Sequence, residues 1–326
     1  MMSRKRVQFG LIGLGRHGSR YARHLLADVP EAELVAICRR DEGAGREFAR
    51  AKGIAFYADY RDLLSDERLD AVAVVVPPNL HGEICTAAAR RGLPFVVEKP
   101  LAHTVADAQK ILEEARRGGV KGLVAQTLRF DSLVQALKAH LPTLVALHAI
   151  VIQQHFEPSP LGWLDEPGLG GSILHTGVHG FDLLRFLTGG EVVQVYCEAF
   201  GRFTRKTEDG FSAVLQMEPG SLKAVIANLR TTLGRVGRIE VIGEKGILAG
   251  DHVHQSLHLV QGRDTHPVPL PPPVPTVRAC LEAFVNWLRD DIPPPVSLAD
   301  GLKALEVVEA CQRSAATGVP VPVSHP

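Results

Sequence analysis

The sequence carries no net charge: 36 Lys and Arg stand against 36 Asp and Glu in 326 residues, and no block of like charge exceeds Arg4-Lys5-Arg6. A chain without a field of one sign does not gather phosphate polymers from a distance, so nucleic acid is not an expected partner. Cysteine is scarce and scattered. The five thiols, Cys38, Cys85, Cys197, Cys280 and Cys311, are odd in number and never stand in a Cys-x-x-Cys spacing. That argues against a disulfide framework and a zinc ribbon, and it fits a reducing cytoplasm. No apolar run approaches the ~20 residues of a membrane span, and the basic start is followed by glycine and charge rather than a signal-peptide core. What is present, 45% apolar and 22% charged residues, is an ordinary globular composition that excludes disorder as the main state. At roughly 150 residues per domain the length predicts two domains.

The first part of the chain alternates. Apolar runs at 7–12, 33–38, 71–76, 94–97 and 122–126 read as strands, and amphipathic stretches at 19–27, 45–52, 82–91 and 105–117 read as helices. Such alternation predicts an α/β fold with a doubly wound parallel sheet over residues 1–126. Beyond 127 strand candidates follow one another at 145–154, 192–203, 211–217, 221–229 and 238–242. Residues 127–326 therefore read as an α+β domain. One helix, 171–187, interrupts these strands after the turn Gly168-Leu169-Gly170-Gly171. Proline-rich stretches at 267–275 and 293–295 read as rigid connectors around helices at 276–290 and 298–317.

Gly13-Leu14-Gly15-Arg16-His17-Gly18 satisfies GxGxxG between the first strand and the first helix. In that context Gly13 permits the tight turn, Gly15 lets backbone approach a pyrophosphate, and Gly18 lets helix pack on strand. The helix N-terminus supplies N–H donors to phosphate, so Arg16 and His17 join the candidate cofactor contacts. At the end of the second strand, where an acidic side chain would hold the ribose of NAD, stand Arg39 and Arg40. Guanidinium forks suit a 2′-phosphate and favour NADP, the alternative being that Asp41 reaches the ribose of NAD. Pro77, Asn79 and His81 follow the third strong strand, Glu98-Lys99-Pro100 the next, and Gln126 the last. All lie at carboxyl ends of strands, where open α/β sheets bind ligands.

Lys99 after an apolar run is expected to be partly desolvated, with a lowered pKa suited to proton transfer, unless it simply snorkels to solvent. His175, His179 and Asp182 fall at i, i+4 and i+7 and share one helix face. Histidine next to a carboxylate is suited to general acid or base work. The same spacing would serve a divalent metal, but no fourth ligand is evident and no metal is expected. Arg129, His155, Trp163 and Arg230 are candidate substrate-pocket groups at strand ends or in the loop before this helix.

GLGRHG, VPPNLH, EKP and GGSILHTGVHGFDLLRFLTGG, in this order and spacing, together with the tail ALEVVEACQRSAATGVPV, resemble the glucose-fructose oxidoreductase, inositol dehydrogenase and MocA-like family. The resemblance covers essentially the whole chain. It implies a Rossmann domain, then a domain whose open, mostly antiparallel sheet faces the cofactor and mediates homodimers or homotetramers. It also implies oxidation of a sugar or cyclitol hydroxyl, or reduction of the carbonyl, with NADP or NAD. Lys99 matches the lysine that contacts the reacting oxygen and His179 the catalytic histidine, while Glu98 and Asn79 match cofactor contacts. The chain departs from the fullest pattern at His175, where an aspartate is usual, and at Leu164, which replaces the arginine of a Trp-Arg pair. Either His179 acts with Lys99, or His175 takes over while Asp182 orients His179. Two rivals accompany the dehydrogenase reading: a silent NADP(H)-binding sensor, and a lyase or glycosidase that oxidises its substrate transiently with a retained cofactor.

Overall fold

Short runs rich in alanine and β-branched residues build the first sheet: β1 (Val7–Ile12), β2 (Ala32–Cys38), β3 (Ala55–Tyr57), β4 (Ala71–Val74), β5 (Phe95–Glu98) and β6 (Gly122–Ala125). The computed structural model describes residues 5–158, 162–218 and 222–324. Every residue of β4, β5 and β6 is buried, as expected of parallel strands covered on both faces. The order is β3-β2-β1-β4-β5-β6, with all pairs parallel. The order reverses between β1 and β4, and such a switch point leaves a crevice beyond the strands' carboxyl ends. The connections carry α1 (Gly18–Arg23), α2 (Glu42–Lys52), α3 (Tyr60–Leu63), α4 (His81–Arg90) and α5 (Val105–Arg117).

Two units result: Met1–Thr127 with Pro275–Leu302, and Leu128–Val274 with Lys303–Pro326. The expectation that 127–326 forms one domain is thereby corrected, because 275–302 returns to the first unit. The reason lies in a later helix that buries its apolar stripe there, Val277, Cys280, Leu281, Phe284 and Val285. The Phe284 ring lies 6.2 Å from that of Phe9 on β1. Lys121 donates to the Trp287 carbonyl at 2.7 Å and pairs with Asp291 at 2.7 Å.

The second unit begins with α6 (Ser132–His140), followed by β7 (Leu147–His155), α7 (Val178–Thr188), β8 (Glu191–Phe200), β9 (Gly210–Glu218) and β10 (Lys223–Leu229). In chain order there follow β11 (Val236–Gly243), β12 (Gly246–Asp251), β13 (Ser256–Gln261) and β14 (Asp264–Pro267), then the stripe-bearing α8 (Thr276–Asp290), which belongs to the first unit, and α9 (Leu298–Thr317) and β15 (Val321–Pro322). The sheet order is β14-β13-β12-β11-β7-β10-β9-β8-β15. Only β7 and β10 pair in parallel; the other pairings are antiparallel. Burial alternates along β9 and β10, the mark of a sheet packed on one face.

Sequence periodicity missed β3, α6 and the strands β12 to β14. β3 is three half-buried residues, too short for a period. β12 to β14 carry glycine, histidine and aspartate, poor strand formers that the ladder with β11 holds in place. All five cysteines are buried free thiols. Among the described residues no helix is long and apolar enough to cross a membrane.

Candidate active site

The turn after β1 separates what the fold demands from what a ligand demands. Gly13 has φ +98°, and a Cβ there would lie 2.0 Å from the Val75 carbonyl; at Gly18 it would lie 2.0 Å from the Gly13 carbonyl. Only glycine allows these approaches. Among the described residues a Cβ at Gly15 would meet nothing within 4 Å beyond its own chain neighbours, so their packing does not require this glycine. The open cradle fits a pyrophosphate approaching the backbone. Gly13 and Gly15 border a cleft of about 570 Å³ that runs past Arg39, Arg40 and Pro77, whereas Arg16 is exposed. Asp41 accepts from the Ala44 N–H at 3.1 Å and caps α2, and its other oxygen accepts from Arg39 at 3.3 Å. Its carboxylate is thus occupied locally. Tyr60 and Arg61, which sequence reasoning missed, line the same cleft, with the Arg61 guanidinium 4.6 Å from the centre of the Tyr60 ring.

Glu98 ends β5 and is 7% exposed. One oxygen contacts His17 Nε2 at 2.7 Å and accepts from the Tyr21 hydroxyl at 2.5 Å; the other accepts from the Lys99 N–H at 3.1 Å. Burial pushes its pKa up, but the His17 hydrogen bond and charge, with Lys99, outweigh that and bring it down to about 2. The His17 ring, offered to the cofactor by the sequence, therefore packs on Glu98. His81 is fully buried, with ring nitrogens 2.9 Å from the carbonyls of Pro100 and Val76. Burial pushes its pKa down, and a neutral ring donates to only one of these carbonyls. His81 ties the loop after β4 to that after β5. Asn79 is exposed and borders a neighbouring polar hollow with Glu83, Arg90 and Lys110. Lys99 is half-buried and joined to Pro100 by a cis peptide bond. Gln126 is 1% exposed, and among the described residues neither atom of its amide has a hydrogen-bond partner.

In the second unit the glycine turn leads into a wide, π-type turn, Ile173–Gly177, that continues into α7. Gly171 has φ +92°, and a Cβ there would lie 2.4 Å from Glu208 Oε1. That oxygen accepts from the Ile173 N–H at 2.9 Å, while the Glu208 carbonyl accepts from Ser172 at 2.9 Å. Glu208, absent from the sequence reading, thus caps the helix that carries the histidines. His175 and His179 are both half-buried. Arg230 Nη1 donates to His175 Nδ1 at 3.0 Å, and the Trp163 ring lies 5.4 Å from that of His175. His155 ends β7 half-buried, its Nδ1 has no hydrogen-bond partner among the described residues, and burial pushes its pKa down. Arg129 departs from expectation. It is 4% exposed, and its Nε and Nη2 donate to the two oxygens of Asp182 at 2.8 and 2.7 Å. This buried pair braces the unit's interior, and the carboxylate expected to orient His179 is bound to a guanidinium. Among the described residues no group of three or more His, Cys, Asp or Glu is placed to hold a metal.

A Rossmann sheet with an open glycine cradle, followed by a mixed-sheet unit whose α7 and the turn before it carry paired histidines, defines a nicotinamide-dependent oxidoreductase. Residues 7–126 match the family model described as "Oxidoreductase family, NAD-binding Rossmann fold", and residues 141–249 match the "GFO/IDH/MocA C-terminal domain". The chain belongs to the GFO/IDH/MocA oxidoreductase family. It is 28% identical to the myo-inositol 2-dehydrogenase of Thermotoga maritima over 94% of this chain and 96% of the relative. It is also 28% identical to the scyllo-inositol 2-dehydrogenase (NAD(+)) of Bacillus subtilis, over 97% and 96%. Among solved structures, a probable dehydrogenase from Thermotoga maritima superposes with a TM-score of 0.85 at 27% identity, covering 97% of this chain and 99% of that one.

Proposed function

We propose that the protein is a dehydrogenase of sugars, cyclitols or related polyols that favours NADP over NAD. The similarity to inositol dehydrogenases supports the substrate class. The observation that carries the cofactor reading is the open cradle at Gly15 continuing to Arg39 and Arg40. Gly13, Gly15 and the α1 N-terminus would hold the pyrophosphate, the two arginines a 2′-phosphate, and the orphan amide of Gln126 a further polar group of the bound partners. Left without one, a buried amide costs about 1–3 kcal/mol. The bound nicotinamide supplies reversible hydride exchange with a carbinol or carbonyl carbon.

Lys99 and His179 handle the proton on the substrate oxygen, a contribution of about 10²- to 10⁴-fold for a positioned acid–base group. Glu98, ionised and hydrogen-bonded to the Lys99 amide, keeps a negative charge beside Lys99. Parallel fluorescence titrations with NADPH and NADH, followed by nicotinamide absorbance against inositols, sugars and ketosugars, test the reading. The expected results are tighter NADPH binding, turnover of at least one polyol, and a loss of turnover of about 10²-fold or more in a folded Lys99→Met variant. Tighter NADH binding would remove the arginine assignment, and unchanged turnover in Lys99→Met would remove the proton assignment.

A further inference from the structure

Three arginines line the cofactor cleft, Arg39, Arg40 and Arg61, and the acids around them separate their roles. Arg39 is paired with Asp41 at 3.3 Å. Arg40 is exposed, and among the described residues its guanidinium has no acidic partner. Arg61 is held from two sides. Asp59 accepts from its backbone N–H at 2.8 Å and from Nη1 at 3.3 Å, and Glu83 accepts from Nη2. Two carboxylates therefore face one guanidinium, so a phosphate approaching Arg61 would meet a net negative charge. Arg61 is not placed to choose between cofactors by charge.

What the two acids fix is a plane. Glu83 Oε1 accepts from the Tyr60 hydroxyl at 2.5 Å as well as from Arg61, so a single oxygen ties the guanidinium to the ring it lies over, 4.6 Å from the ring centre. Burial and the Glu83 hydrogen bond push the Tyr60 hydroxyl up to about 12, which keeps it a donor near neutral pH. One face of the guanidinium is covered by Tyr60, while the Arg61 side chain is 61% exposed. Guanidinium planes stack on flat π-systems, nucleobases included. Leu80 and Ile84 add an apolar wall to the same cleft. With the glycine turn given to the pyrophosphate and Arg39 with Arg40 to a 2′-phosphate, the base is the part of the dinucleotide that still needs a flat, apolar place.

We propose that Arg61, held over Tyr60 by Glu83 and Asp59, is the stacking floor for the adenine of the cofactor. It sets the affinity for the adenosine half and leaves the choice between NADP and NAD to Arg39 and Arg40. The inference rests on the NADP-favouring dehydrogenase reading above.

The experiment is calorimetric titration with 5′-AMP and 2′,5′-ADP on wild type, Arg61→Lys and Arg40→Met, with thermal melts confirming that each variant is folded. Lysine keeps the charge of Arg61 and loses its plane. Arg61→Lys should weaken both nucleotides about ten-fold and leave their ratio as in wild type, since stacking does not sense the 2′ position. Arg40→Met should weaken 2′,5′-ADP and leave 5′-AMP unchanged. Binding of both nucleotides that survives Arg61→Lys, a loss confined to 2′,5′-ADP in that variant, or no binding of 5′-AMP to wild type would each overturn the proposal. The same titrations separate the two readings. Equal wild-type affinity for the two nucleotides, with both weakened in Arg61→Lys, removes the NADP preference and leaves the adenine floor. A 2′,5′-ADP preference lost in Arg40→Met, with Arg61→Lys unaffected, does the reverse.

Discussion

A carboxylate buried at a strand end ordinarily gains a proton; Glu98 keeps its charge because His17, Tyr21 and the Lys99 amide surround it. Its folded pKa of about 2 lies below the ordinary value of 4.5. The stabilisation is therefore complete above about pH 4.5 and is lost as pH falls toward 2. Glu98→Gln should cost on the order of 2–3 kcal/mol at pH 7, with the gap to wild type narrowing at pH 4 and again at pH 3 in urea denaturation. A gap that stays constant over this range would remove the charge as its cause. The motif EKP marks Glu98 in the sequence, but its charged state is set by Tyr21 and His17, 77 and 81 residues away. Arg129 and Asp182 show the same dependence on distant partners: each stands out at its own position, and only the fold brings them together as a buried pair.

Within elements, the β1–α1 turn distinguishes glycines kept for packing from one kept for a ligand. Gly13→Ala sets a Cβ against the Val75 carbonyl at a positive φ and should destabilise by about 2 kcal/mol or more. Gly15→Ala adds a methyl to open space and should leave the melting temperature nearly unchanged while weakening NADPH binding about ten-fold, a loss of roughly 1.4 kcal/mol. Thermal melts and fluorescence titration of the two variants check this contrast, and equal loss of stability in both would refute it. The helix of the histidines offers a second lesson. Its glycine turn is legible in the sequence, but its cap is Glu208, 35 residues beyond Ile173, where no capping pattern of adjacent residues points. α6, missed by periodicity, does have a local signal: Asp131 accepts from the Leu133 and Val134 N–H groups, an aspartate N-cap ahead of an apolar run.

At the scale of the whole molecule, the open face of the second sheet presents Val214 and Val225, 50% and 39% exposed, from the adjacent strands β9 and β10. Their register places them opposite one another, an apolar pair on a face that one-sided packing would leave to solvent. This supports the expected homodimer or homotetramer through that sheet. Val225→Glu should lower the oligomer size in light scattering while the far-UV spectrum stays unchanged, and a monomeric wild type would dismiss the assembly.

Local pattern determined a great deal: the alternating strands and helices of the first unit, the glycine turn, the lysine after β5, the paired histidines and the family they belong to. These follow from backbone dihedrals and from which face of an element is apolar, both written in neighbouring residues. The second edge of the mixed sheet, the return of α8 to β1, the Arg129–Asp182 brace and the hold of Arg230 on His175 were decided only in three dimensions. Each joins residues far apart in the chain, from 53 for the brace and 55 for the Arg230 contact to 166 for the lysine that anchors α8. Partners at such separations depend on strand order and register, which no local period encodes.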